Sequence, residues 1–163
     1  MDSETFKQKY LPLHPKLYRV AFALTGDSRD AEDVMQETYL RLWKKRGELD
    51  DIRHVEAFCL TLVKHLSLDL LRAAHPQDGL EDLPLHADAS PESEAIAKDT
   101  LCQVRRLIDN LPLKQQQVLR LSCIDDCRPE EVEELTGLSS VNVRVLLSRA
   151  RKTLREKIGF LLQ

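Results

Sequence analysis

Apolar residues recur at every third or fourth position along most of the chain, and this spacing predicts an all-α protein. In the first half of the chain it predicts helices over residues 14–25, 29–46 and 54–74. In the second half it predicts a helix over residues 100–110 and further helices beginning near Pro112, Pro129 and Ser140. Since β-branched residues do not alternate with polar ones, the sequence argues against a β-sandwich or barrel.

Each predicted helix has one apolar stripe, which we expect to face a core. The stripe of the second helix is Ala31, Val34, Met35, Thr38, Tyr39 and Leu42, and that of the third is Cys59, Leu62, Val63, Leu66, Leu70 and Ala73. In the second half, the inward residues are Leu101, Val104, Leu107 and Ile108, and on the last helix Val143, Leu147, Ala150, Leu154 and Ile158.

Capping residues and one glycine predict where several helices begin and end. Asp27 or Ser28 is expected to cap the second helix, because short polar side chains accept hydrogen bonds from the first backbone amides. Near the C-terminus, a short helix ends at Gly137, which can take the left-handed conformation. Ser139 or Ser140 is expected to cap the longer helix that follows. A short helix, a glycine-containing turn and a longer helix form a helix-turn-helix.

The second predicted helix carries apolar residues on the side opposite its core stripe. Leu40 and Trp43 lie there beside Asp33 and Gln36. A face that meets only water does not need a leucine and the only tryptophan of the chain, so this face is a candidate partner surface. Two other interpretations stay open: Trp43 folds back against the loop after Lys45, or the helix is buried on both sides.

Charge divides the chain into three parts. Residues 1–74 contain 12 Lys or Arg and 12 Asp or Glu, and residues 100–163 contain 11 basic and 8 acidic residues. Residues 75–99 contain Lys98 and seven acids, with three prolines and no aromatic residue in their first 21 positions. This composition predicts two small helical domains joined by a flexible acidic linker. A solvated tether explains the acidity, and mimicry of nucleic acid in a basic channel of a partner is the alternative.

Positive charge collects in the last predicted helix. The stretch from Ser140 to Gln163 has six basic residues and one acid, whereas the stretch from Asp125 to Thr136 has six acids and one arginine. A basic second helix in a helix-turn-helix favours nucleic-acid binding in the major groove. Ion pairs between the basic and the acidic helix are the alternative. The residues left outside the inner stripe are Val141, Asn142, Arg144, Val145, Ser148 and Arg149.

Composition and motifs argue against several classes of function. No apolar run approaches the roughly 20 residues that span a bilayer, and the N-terminus lacks the layout of a secretory signal, so we expect a cytoplasmic chain with reduced thiols. No phosphate loop or nucleophile–base arrangement is evident, so we predict neither an enzyme nor a cofactor. His65 and Asp69 are spaced to form a surface pair. Cys123 and Cys127 are expected to be buried thiols, because no nearby histidine completes a metal site.

Two long segments resemble one protein family. DAEDVMQETYLRLWKK followed by AFCLTLVKHLSLDLLRAA looks like region 2 of bacterial extracytoplasmic-function (ECF) sigma factors. LPLKQQQVLRL with PEEVEELTGLSSVNVRVLLSRARKTLREKI looks like their region 4. The order of the segments, the acidic linker and the total length agree with that family. The resemblance implies a non-enzymatic subunit of RNA polymerase that recognises and melts promoter DNA, with no small-molecule substrate.

The same resemblance implies roles for particular residues. The second helix would bind the clamp helices of the largest polymerase subunit through Asp33, Gln36, Glu37, Leu40, Arg41 and Trp43. The third helix and the segment before it would bind the single-stranded minus-ten element through Arg53, Thr61, Lys64, His65, Asp69 and Arg72. The helix-turn-helix would read the minus-thirty-five element through Ser140, Asn142, Arg144, Val145, Ser148, Arg149 and Lys152.

Further partners are implied by the family alone. They are the flap of the second-largest polymerase subunit and an anti-sigma factor, usually membrane-bound, that holds the free protein inactive. Leu146 stands where the family often has an arginine, which implies a promoter motif of its own. Without the resemblance, the competing hypothesis is a free-standing regulator that binds duplex DNA through the helix-turn-helix, and such a regulator would need to dimerise.

Overall fold

The computed structural model describes residues 1–74 and 100–161, and most of these residues are helical. The chain divides into two compact units, Met1–Pro76 and Gln77–Gln163. Two helical units agree with the predicted all-α class, whereas the linker predicted over residues 75–99 lies outside the described residues. In the described part of the chain, no helix is both long enough and apolar enough to cross a membrane.

The first unit contains four α-helices among its described residues, and three of them form a bundle. They are α1 (Ser3–Tyr10), α2 (His14–Thr25), α3 (Ser28–Lys44) and α4 (Val55–Ala74), with a 3₁₀ turn at Leu11–Leu13 between α1 and α2. The helices α2, α3 and α4 pack against one another in all three pairings. The three helices predicted for this half are confirmed to within two residues at each end, whereas α1 was not predicted.

The core of the first unit follows the predicted stripes with one shift. The buried Thr38 is tolerated there because its hydroxyl donates a hydrogen bond of 2.7 Å to the carbonyl of Val34. On α4, Ala73 is exposed and Leu71 is buried, so the predicted stripe is wrong at its C-terminal end. Near this end of α4 the buried residues are four positions apart, so the side of the helix that faces the core turns away from Ala73. The largest fully buried side chains of this unit are Tyr10, Leu17, Leu24, Leu42, Val63 and Leu71.

Two buried hydroxyls in this core, those of Tyr10 and Ser67, have no hydrogen-bond partner among the described residues. The Tyr10 side chain is 0 % exposed, and among the described residues its hydroxyl makes no hydrogen bond. Burial raises the pKa of Tyr10 above its ordinary value. Tyr10→Phe removes an unpaired polar atom, so we expect the free energy of unfolding to stay the same or rise by up to about 1 kcal/mol. Urea denaturation monitored by tryptophan fluorescence measures this change in the free energy of unfolding.

Tyr39→Phe is the matched control for that experiment. The hydroxyl of Tyr39 lies 3.0 Å from Nδ1 of His14, so its removal breaks a hydrogen bond. We expect Tyr39→Phe to lower the free energy of unfolding by about 0.5–1.5 kcal/mol. If Tyr10→Phe lowered it by as much as Tyr39→Phe, the Tyr10 hydroxyl would have a partner and the interpretation would be wrong.

The second unit is built around its last helix. Its described elements are α5 (Thr100–Asp109), α6 (Leu113–Leu119), a π-helical turn (Arg120–Ile124), α7 (Pro129–Thr136) and α8 (Ser140–Leu161). The last helix, α8, contacts α5, α6 and α7. Leu101 is 57 % exposed, so its predicted inward position is wrong, because α5 reaches the core only near its C-terminal end. The core cluster is Leu111, Leu119, Ala150 and Leu154, with Leu107, Ile108 and Ile158 packed against it.

The predicted helix-turn-helix is present in α7 and α8. Gly137 has a φ of 73° and its amide donates to the carbonyl of Glu133 at 2.9 Å, which ends α7 as predicted. The amide of Asn142 donates to the hydroxyl of Ser139 at 3.2 Å. Ser139 is therefore the residue that caps α8, and Ser140 is its first helical residue.

Candidate functional site

The outward face of α3 combines two exposed apolar side chains with charged ones. Leu40 is 52 % exposed and Trp43 is 37 % exposed, on the side of the helix opposite the buried stripe. Beside them, Arg41 and Glu37 form an ion pair at 2.6 Å that is about half exposed and therefore adds little stability. The remaining predicted residues of this face, Asp33 and Gln36, are exposed. The arrangement is an apolar patch bordered by polar groups.

Trp43 is also held from two sides, which the sequence left open. The Phe6 ring meets it edge-on, with ring centroids 5.2 Å apart and planes at 83°. The guanidinium of Arg46 lies 4.2 Å from the centroid of the indole ring. The loop after Lys45 therefore does contact Trp43, as one of the alternatives proposed, but more than a third of the side chain stays exposed. Phe6 was not predicted to contact Trp43, because it lies on α1, which the sequence analysis did not predict. The helical spacing of Phe6 and Tyr10 was the signal that could have indicated this helix.

The residues predicted for the minus-ten element lie along one side of α4. Five of them lie on the helix at spacings of three or four residues, and Arg53 precedes it in the loop. Lys64 is half-buried and the others are exposed. Within the described part of the chain, His65 and Asp69 form no ion pair, so that predicted pair is wrong. The side chains on this strip of α4 are Thr61, Lys64, His65, Asp69 and Arg72.

The residues predicted for the minus-thirty-five element form the outer face of α8, and all seven are exposed. Three of them line a groove of about 300 Å³ that the N-terminal part of α6 closes on its other side. From α6, the groove receives Lys114 and Gln115, which the sequence interpretation missed. Periodicity could not have found them, because it does not show which helices lie side by side. The α8 residues in the groove are the predicted Asn142, Val145 and Arg149, together with Leu146.

The cysteines differ in exposure, and one prediction about them fails. Cys59 is buried in the first unit, and burial raises the pKa of its thiol to about 11. Cys123 was expected to be buried but is exposed, because it lies on the π-helical turn at the surface, where Arg151 donates to its sulfur at 3.5 Å. Cys127 is half-buried. The described residues contain no group of three His, Cys, Asp or Glu side chains arranged to hold a metal ion.

Two parts of the chain match known families of domains. Residues 10–76 match Sigma-70 region 2, and residues 103–154 match Sigma-70, region 4. The first match contains α2, α3 and α4, and the second contains α7 and most of α8.

Several curated proteins are similar over most of this chain. It is 32 % identical to the ECF RNA polymerase sigma factor SigD of Mycobacterium tuberculosis, over 96 % of this chain and 78 % of SigD. It is 23 % identical to the ECF RNA polymerase sigma factor SigW of Bacillus subtilis, over 88 % of this chain and 83 % of SigW. It is 30 % identical to the probable RNA polymerase sigma factor RfaY of Xanthomonas campestris pv. campestris, over 85 % of this chain but only 36 % of RfaY.

A solved structure has the same fold. The sigma factor RpoE from Bartonella quintana, crystallised with the anti-sigma factor NepR, aligns with a TM-score of 0.61. The sequences are 21 % identical, and the alignment covers 94 % of this chain and 96 % of RpoE. At that identity the likeness concerns the fold.

Two helical units, the second of which carries a helix-turn-helix, define a class of DNA-binding transcription proteins. This chain belongs to the ECF sigma factors of bacterial RNA polymerase. It therefore directs promoter-specific initiation of transcription when bound to the polymerase, and the resemblance recognised from the sequence is confirmed. Sigma factors are generally not catalytic enzymes.

Proposed function

We propose that this sigma factor binds the clamp helices of the largest polymerase subunit through the outward face of α3. The observation that carries the proposal is the exposure of Leu40 and Trp43 on a helix whose opposite side packs in the core. Binding energy concentrates on aromatic and apolar side chains surrounded by polar ones. Asp33, Gln36 and the Glu37–Arg41 ion pair supply that polar border.

For the minus-ten element, we propose that α4 and the loop before it bind the displaced single strand. Lys64, Arg72 and Arg53 supply positive charge for its backbone, while Thr61 and His65 offer hydrogen-bonding groups at the surface. Single-stranded DNA binds surfaces that combine basic groups with places for its bases. The strip on α4 fits this description, since its side chains project from one side of one helix.

For the minus-thirty-five element, we propose that the outer face of α8 enters the major groove of the duplex. Its exposed polar and basic side chains lie at the N-terminal half of the helix, where a recognition helix contacts base edges. Lys114 and Gln115 of α6 extend this surface beside Arg149, and a lysine there can contact a phosphate.

The remaining proposals extend what is known of relatives. RpoE is crystallised with an anti-sigma factor, and we propose that an anti-sigma factor also binds this chain and holds it inactive. We propose the flap of the second-largest subunit as a second polymerase contact, and the cytoplasm, where promoter DNA is found, as the location. We also propose that the protein has no catalytic centre, cofactor or small-molecule substrate of its own.

Gel filtration with bacterial core RNA polymerase tests the proposed function. We expect the full chain to co-elute with the core enzyme, and the mixture to start transcription at defined sites on genomic DNA fragments. Core enzyme alone is the control. If the chain did not co-elute with the core enzyme but shifted duplex DNA as a dimer, the polymerase contact proposed for α3 would be wrong.

Arg149→Ala tests the proposed reading of the minus-thirty-five element. An arginine that contacts a base edge contributes about 1–3 kcal/mol, so we expect holoenzyme affinity for its promoter to fall by about 5- to 150-fold. Discrimination against substitutions at one promoter position should also weaken. Lys157→Ala removes the same charge from an exposed position further along α8 and should change little. Equal effects of the two variants would indicate non-specific attraction instead of base reading.

A further inference from the structure

The short helix α1 lies directly against the polymerase-binding face proposed on α3. Phe6, which is 8 % exposed, meets Trp43 edge-on on one side and lies 4.7 Å from the ring of Tyr10 on the other. Lys9 ties α1 to the segment after α3, because its ammonium donates to the carbonyl of Leu49 at 3.3 Å. These contacts hold Phe6 in a fixed position beside the indole ring.

Arg46 holds Trp43 by a second route. Its guanidinium lies 4.2 Å from the centroid of the indole ring, within the range of a cation–π contact. The same guanidinium donates a hydrogen bond of 2.8 Å to the backbone carbonyl of Trp43. One side chain therefore restrains both the ring and the last turn of α3, while 37 % of Trp43 remains available to a partner.

We propose that Phe6 and Arg46 are positioning residues for polymerase binding. They fix the Trp43 ring in the orientation in which it contacts the polymerase, so that α1 becomes part of the interface although Phe6 lies outside the matched region 2. The proposal rests on the polymerase contact proposed for α3. Its physical basis is that immobilising a side chain during association opposes binding, and a side chain held beforehand avoids this cost.

Two variants loosen the ring without removing it. Phe6→Leu keeps an apolar side chain but loses the edge-on aromatic contact, and Arg46→Met keeps the length of the side chain but loses the cation. Since Trp43 is the only tryptophan, its fluorescence reports on this contact alone. We expect red-shifted emission in the free protein and an affinity for core polymerase about three- to tenfold lower. Phe6→Tyr keeps the ring and should preserve both properties.

A double-mutant cycle shows whether the two residues act through Trp43. In a Trp43→Ala background, Phe6→Leu and Arg46→Met should cause no further loss of affinity. Far-UV circular dichroism checks that each variant is folded. Phe58→Ala, at a residue 38 % exposed in the same unit, is the control for losing an exposed aromatic side chain and should bind normally.

The outcomes separate this proposal from the one on which it rests. If Trp43→Ala weakened binding while Phe6→Leu and Arg46→Met bound like the wild type despite red-shifted emission, positioning would be refuted and the polymerase contact of α3 would stand. If the two variants weakened binding equally with and without Trp43, they would act by another route and positioning would again be refuted. If Trp43→Ala itself bound normally, the place of Trp43 in the interface and the positioning role would both fail.

Discussion

Leu40→Asp is expected to lower the affinity for core polymerase by at least about 30-fold while the chain stays folded. Leu40 is 52 % exposed in the free protein, so the folded unit has room for a carboxylate there. In the complex, that carboxylate would lose its water beside Asp33 and Glu37, which already carry negative charge on this helix. Losing a central interface residue costs about 2 kcal/mol or more, which corresponds to about 30-fold in affinity.

Leu11→Asp is the matched control. Leu11 is 51 % exposed and belongs to the same unit, in the 3₁₀ turn, so the same substitution there changes charge and hydrophobicity equally. Competition binding against a labelled wild-type chain measures both variants, and circular dichroism checks that both are folded. A loss caused equally by the two variants would indicate a general effect of added negative charge on this unit, and no loss at Leu40 would remove α3 from the interface.

Helix positions were predictable from the sequence because the signals for them are local. Periodicity and capping residues predicted α2, the turn at Gly137 and the start of α7 at Pro129, and all three are confirmed. The first helix was missed because only Phe6 and Tyr10 of its eight residues are buried, too few to give a repeating pattern. The sequence therefore predicts a helix well when the helix has several turns against a core.

The contacts around the candidate sites were less predictable. Periodicity correctly indicated that Leu40 and Trp43 lie outside the core stripe, since that depends only on positions within one helix. It could not indicate that Phe6 covers one side of Trp43, or that Lys114 lies across a groove from Arg149, because both facts depend on how helices pack. The sequence predicted the faces of the sites, and the structure adds the neighbouring helices that border them.

An ion pair of a buried arginine in the second unit could not be predicted either, because charged residues are mostly found at the surface. Arg120 is 4 % exposed and contacts the carboxylate of Asp109 at 2.5 Å, at the end of α5. Arg120 also donates to the side chain of Gln116 at 2.7 Å, and Gln116 donates to the carbonyls of Leu111 and Asp109 at 2.7 and 2.9 Å. These hydrogen bonds join the end of α5 to α6 and to the π-helical turn.

Removing the carboxylate of this pair is expected to remove most of the stability of the second unit. Burial raises the pKa of Asp109, although the positive charge of Arg120 acts in the opposite direction. Burial also lowers the pKa of Arg120, so both charged groups have lost contact with water. Asp109→Ala removes the carboxylate that contacts the buried guanidinium of Arg120, and breaking such an ion pair costs about 3–5 kcal/mol. Since a small domain is stable by only about 5 kcal/mol or a little more, this loss is nearly the whole stability of the unit.

The two units can be monitored separately in the intact chain, because Trp43 belongs to the first unit. In Asp109→Ala, urea denaturation should show an unchanged fluorescence transition and an earlier circular dichroism transition from the second unit. The holoenzyme should then lose contact with the minus-thirty-five element but keep the polymerase contact of α3.

Two further variants test whether the loss of stability comes from the buried charge of Arg120. Adding Arg120→Met to Asp109→Ala replaces the buried cation with an apolar side chain of similar length, so most of the lost stability should return. Asp69→Ala removes an exposed carboxylate and should change stability by no more than about 0.5 kcal/mol. If the double variant were as unstable as Asp109→Ala, the ion pair would itself stabilise the unit, and the loss would not come from burying the Arg120 cation without the Asp109 carboxylate.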